Sequence, residues 1–194
     1  MTHIQAKHWF RLIGAITAIF LLGLAPVQAA PPGEVAPLGF AIGKATRDMV
    51  IEGLKGKTTL TDEGTNRYSH GAMLEGPGEG LGIDNLSEIL FVFNEQDKLV
   101  GVRLTFLKDP LDKGFEKLLG YLSGKYSLVS KEIPFVGNKS ARLKQGDVVI
   151  ELIAPHLSFT LTVLYMTTGF EQAIETGLQQ EAAAGKKKRE SSQF

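Results

Sequence analysis

The chain has 194 residues, 21 basic and 21 acidic side chains, and no cysteine. The missing cysteine excludes disulfide staples, thiolate metal sites, cysteine nucleophiles and a lipid-anchor thiol. Setting aside the first 29 residues with Lys7 and Arg11 leaves 19 basic against 21 acidic residues, a net of −2, which is not the footprint of a nucleic-acid-binding protein.

The N-terminus reads as an export signal. Lys7 and Arg11 come without an acid, residues 12–24 (LIGAITAIFLLGL) are apolar, and Val27-Gln28-Ala29 follows as a small-residue cleavage site. The alternative, a retained anchor, is short of length: thirteen helical residues span about 20 Å against an apolar bilayer core of roughly 30 Å. The pattern predicts a signal peptide over 1–29, a mature N-terminus at Ala30, and a soluble protein of the periplasm or exterior. About 165 residues then remain, enough for one domain that buries roughly 70% of its unfolded surface.

Residues 30–37 (APPGEVAP) are a Pro-rich lead-in, and a single domain is expected over 38–180. Residues 38–42 read as a short entry strand. Thr46 is placed to cap a helix carrying Met49, Val50 and Leu54 at helical spacing. Residues 58–60 and 66–73 are weaker strand candidates, and the glycines of 71–82 read as a loop. Residues 87–93 (SEILFVF) predict a buried strand, 94–97 a turn, and 98–107 an alternating strand with Val100, Val102, Leu104 and Phe106 on one face.

Asp109-Pro110-Leu111-Asp112 has the order of a helix start, with Leu111, Phe115, Leu118, Leu119 and Leu122 as the core stripe. Strands are expected at 126–133, 140–144, 148–153 and 158–165, the last with Phe159, Leu161, Val163 and Tyr165 facing inward. Thr168-Gly169-Phe170-Glu171 has capping-box spacing for a C-terminal helix over 168–180. Residues 181–194 read as an Ala-rich and then basic disordered tail, able to touch an anionic surface.

The sum is an α+β fold: an antiparallel sheet with helices packed on one face. A helix followed by strands recurs at about 43–107 and 109–166, which suggests a tandem duplication of pattern.

Leu38-Gly39-Phe40-Ala41-Ile42-Gly43-Lys44-Ala45-Thr46, followed by Val50 and Leu54, resembles the opening of exported bacterial domains of the β-lactamase-inhibitor-protein-like superfamily. That group includes the small lipoprotein of the outer-membrane assembly machinery. The likeness covers some seventeen residues. This chain departs from it in lacking both the anchor cysteine of the lipoproteins and the disulfides of the inhibitor. The resemblance implies the fold class and a binding role, and it transfers no contact residue.

No catalytic set stands out. Beyond the export signal the histidines are His70 and His156, with neither H-x-H nor H-E-x-x-H spacing, so no metal is expected. Ser69 and His70 are neighbours and would point to opposite faces of a strand. The glycine run has no Lys-Ser/Thr for phosphate, and Glu79 would repel one, so no cofactor is expected. What remains is recognition. Phe135 and Val136 lie in a Pro-to-Gly turn, and Met73 and Leu74 lead into the glycine run, apolar where pairing does not require it. The sequence therefore favours a non-enzymatic module for an envelope protein partner, of inhibitor, immunity or assembly-factor type. The alternative is a periplasmic carrier of a small apolar ligand or lipid.

Overall fold

The computed structural model describes residues 33–108 and 113–191. The export signal, the start of the lead-in and the helix start at 109–112 lie outside the described residues. Eight antiparallel strands form one sheet in the order β1-β2-β3-β4-β8-β7-β6-β5. They are β1 (Thr61–Thr65), β2 (His70–Pro77), β3 (Leu86–Asn94), β4 (Leu99–Leu107), β5 (Ser127–Glu132), β6 (Lys139–Gln145), β7 (Val148–Ala154) and β8 (Thr160–Thr167). Helix α1 (Arg47–Leu54) precedes the first four strands, α2 (Gly114–Ser123) precedes the second four, and α3 (Thr168–Ser191) ends the described chain. Helix followed by a four-strand meander thus occurs twice, and the last strands, β4 and β8, pair at the centre. Among the described residues, no helix is long and apolar enough to cross a membrane.

The core lies mainly on one face. Ile89, Phe91 and Phe93 of β3, Val102, Leu104 and Phe106 of β4, Leu143 of β6, Ile150 and Leu152 of β7, and Leu161, Val163 and Tyr165 of β8 form it. Val50 and Leu54 of α1 and Phe115 and Leu122 of α2 close it from above. Each such large apolar side chain contributes about 1.5–3 kcal/mol on burial. As the sequence predicts, Thr46 caps α1: its Oγ1 accepts from the Met49 N–H at 3.4 Å. Met49 itself is exposed, because Val50 and Leu54 alone supply the buried stripe.

Helix α3 is where the one-face expectation gives way. Its Phe170 packs with Val92, Val100 and Met166 in a separate cluster, and Ile174 leans on it. These strand residues alternate with the core residues, so α3 covers the opposite face from α1 and α2. The capping also differs. The Phe170 N–H donates to Thr167 Oγ1 at 3.2 Å, while Glu171 reaches Arg142 at 2.6 Å instead of closing a capping box. Arg142 also holds Glu151 of β7 at 2.5 Å, which fixes the start of α3 over the second half of the sheet. Further along, Arg67 pairs with Glu181 at 3.0 Å. The helix continues through Ser191, beyond the residue 180 at which the pattern placed its end.

Other local readings are corrected by the structure. Residues 38–42 contain a 3-10 turn (Pro37–Gly39), since Pro37 and the positive φ of Leu38 (54°) and Gly39 (88°) break an extended run. Phe40 and Ile42 still reach the core, Phe40 meeting Phe91 edge-on at 5.8 Å. The glycine-rich stretch read as loop is largely β2, and β1 begins at Thr61, after the 58–60 candidate. Val100 leaves the inner face because the β3–β4 register shifts between Val92 and Phe93, and Leu99 takes the inner place. Finally, β8 starts at Thr160, so Phe159 is in the connection before it and not in the core.

Candidate recognition site at the loop end of the sheet

One end of the sheet gathers four connections. These are the loop after β2, the end of β4 with the approach to α2, the loop from β5 to β6, and the loop from β7 to β8. Antiparallel pairing brings them together although they are far apart in sequence. Hydrogen bonds lock them. The Leu107 N–H donates to the Asn85 carbonyl at 2.8 Å, and the Lys108 N–H to the Phe159 carbonyl at 2.8 Å. The His156 N–H donates to Asn138 Oδ1 at 2.8 Å, tying the β5–β6 loop to the β7–β8 loop. The Lys108 ammonium donates to the carbonyls of Pro155 and Ser158, so one side chain just past the end of β4 helps set the course of the β7–β8 loop.

These loops carry apolar side chains into water. Phe135 is fully exposed, Leu157 is 91% exposed and Phe159 88%. Val136, Tyr121 of α2 and Leu107 of β4 are exposed as well. Phe135 and Val136 fall just before Gly137, which with Phe159 lines a cleft of about 300 Å³. The floor and walls of that cleft include Phe115, Ala154 and Leu161, and its charged groups are Lys108, Lys139 and Glu116. Lys139 bonds Glu116 at 2.6 Å, which holds the Glu116 carboxyl below its usual pKa. Burial lowers the pKa of Lys108, and the charge of Lys139 adds to the effect. A second hollow of about 250 Å³ lies across Gly114 and Leu161 and is lined by Phe106, Leu107, Leu118 and Tyr121.

The four residues singled out from sequence separate into two pairs. Phe135 and Val136 are exposed and do not fold down over the core. Leu74 is 3% exposed, a core residue paired across from Phe91, and it cannot serve a partner. Met73 points to the opposite face, half-buried in the α3 cluster, with its Sδ accepting from Asn66 Nδ2 at 3.4 Å. The signal was the same in all four, apolarity beside a turn; the strand register separated them. Leu157 and Phe159 were missed. An apolar pair flanking Ser158 after Pro155-His156 was the signal present, and the alternation of β8 absorbed Phe159 into the core pattern.

His70 and His156 sit at opposite ends of the sheet, His70 opening β2 opposite Asn94 and His156 in the β7–β8 connection. Among the described residues no group of three or more His, Asp or Glu side chains could hold a metal ion. The close acids are claimed by arginine: Arg103 holds Glu88 at 2.5 Å and Glu75 at 3.4 Å on the α3 side of the sheet.

No protein-family model matches the chain, and no curated protein matches it. Among solved structures it is similar to a DUF4309 family protein (YjgB) from Bacillus subtilis subsp. subtilis. The two are 14% identical, the match covers 70% of this chain and 88% of that one, and the TM-score is 0.37. A likeness of that degree carries no functional inference.

Proposed function

We propose that this chain is an exported, non-enzymatic binding protein of a bacterial cell envelope, and that it recognises a protein partner through the loop end of its sheet. The observation that carries the reading is the exposure of Phe135, Leu157 and Phe159 together on hydrogen-bonded loops. Water-facing aromatic side chains on loops joined by a hydrogen bond suit interface anchors. They bury a large area, and little loop ordering remains to oppose association. Two histidines at opposite ends and acids engaged by arginine favour a binding role over a catalytic one. Export rests on the signal pattern of residues 1–29. The partner class, inhibitor target, immunity cognate or assembly factor, follows from the resemblance noted in the opening residues.

The test uses a photo-crosslinking amino acid placed at 135, 159 or 62 in the full chain, expressed in an exporting bacterium. The reading expects one protein species crosslinked from 135 and 159 and none from 62, on the far edge strand. It also expects mature protein beginning at Ala30. Equal crosslinking from all three positions, or none from 135 and 159, would contradict it.

A further inference from the structure

The cleft beneath the exposed loops has a charge arrangement that a seat for loop contacts does not need. Lys108 is anchored by two neutral partners, the carbonyls of Pro155 and Ser158, which fix its position. Lys139 enters from β6, its ammonium 5.8 Å from the centre of the Phe115 ring. Burial, and then the charge of Lys139, lower the pKa of Lys108. Among the described lining residues Glu116 is the one carboxylate, and it bonds Lys139. In that lining the ammonium groups of Lys108 and Lys139, the Glu116 carboxylate and His156 lie among the apolar walls of Phe115, Ala154, Phe159 and Leu161.

We infer that this cleft takes a small amphipathic monocarboxylate, its apolar chain against Phe115, Phe159 and Leu161 and its carboxylate between Lys108 and Lys139. A single carboxylate can be met by both ammonium groups, and the nearby Glu116 disfavours a second negative charge on the ligand. An ammonium carries three donors and no acceptor, so both lysines are suited to a carboxylate. The space fits too: about 300 Å³ is the lower end of the range typical of small-ligand pockets, which are mostly apolar with a few placed polar groups. The inference stands on the cleft lining and does not depend on the partner reading.

The experiment titrates the mature chain at low salt with decanoate, decanol and decylammonium, each as monomer, by calorimetry. Saturable one-to-one binding of decanoate is expected, at least roughly tenfold tighter than either analogue, and weakening with added salt. Lys139→Met should weaken decanoate roughly tenfold and leave decanol unchanged. Phe159→Ser, at a position that packs in no core, should weaken both. Lys108→Met is read together with its circular dichroism, because Lys108 also holds the β7–β8 loop. Decanol binding as tightly as decanoate would overturn the inference, as would unchanged decanoate binding in folded Lys139→Met, or no saturable binding at all.

Discussion

Phe135 puts a whole aromatic ring into water in a turn whose backbone needs no ring there. Its truncation opens no cavity, so Phe135→Ser should change unfolding free energy by no more than about 0.5 kcal/mol. The same change should weaken partner binding by about 1–2 kcal/mol, the scale of a lost aromatic anchor. Leu74 is the contrast. Buried at 3% exposure opposite Phe91, its replacement by Ala should cost about 2–5 kcal/mol of stability in a denaturant titration. A third residue gives a pH signature. Burial pushes the Tyr165 phenol well above its ordinary value near 10, and the neighbouring Tyr126, edge-on at 6.5 Å, adds to the shift. The unfolded chain releases this proton first, so the stabilising contribution is complete below about pH 10 and is lost as pH rises from there toward the folded value. An absorbance titration should show a tyrosine that ionises only as the fold is lost. Reversible ionisation of every tyrosine near pH 10 in folded protein would contradict this placement.

At the scale of elements, patterns that state one thing were readable and patterns that state two were not. The β3–β4 hairpin, β7 and most of β8 alternate or run apolar without interruption, and α1 has its cap in Thr46. Strand β2 was hidden because glycine is a turn residue by propensity and here serves close approach. A Cβ on Gly71 would lie 2.3 Å from the Phe93 carbonyl oxygen and 2.5 Å from the Asn94 backbone. Backbone cannot yield as a side-chain tip does, so Gly71→Ala should destabilise by about 1–3 kcal/mol despite lowering the entropy of the unfolded chain. Unchanged stability in thermal unfolding would show that β2 and β3 are not so close. The face chosen by α3 was equally unreadable. Phe170 and Ile174 announce an apolar stripe, but which side of the sheet still offers apolar surface depends on the register and on the bulge at Val100. Of the recognition site, the β5–β6 half was legible because Phe135 and Val136 lie in a turn with no strand alternation to claim them. The β7–β8 half was not, because Phe159 continues the alternation of β8 by one residue past the point where the strand begins.

For the molecule as a whole, the junction that matters is β4 against β8. Seven residue pairs from Gly101–Met166 to Leu107–Thr160 join the two meanders, and one buried cluster runs from Val50 in α1 to Leu152 in β7. A core shared across the junction predicts a single cooperative unfolding transition, with calorimetric and van't Hoff enthalpies equal; two resolved transitions would show two independent halves. The same architecture separates labour between its ends. One end carries the start of α3 and its arginine clasp, while the other holds four loops, exposed aromatic rings and a lysine-bearing cleft. The central claim is that this loop end recognises a protein. The measurement that tests it most directly compares the dissociation constant of the crosslinked partner for the natural chain and for the double variant Phe135→Ser, Phe159→Ser, with thermal midpoints recorded for both. The account predicts closely matched midpoints and binding weakened by at least roughly tenfold, about 1.4 kcal/mol. An unchanged dissociation constant in a folded double variant would contradict it.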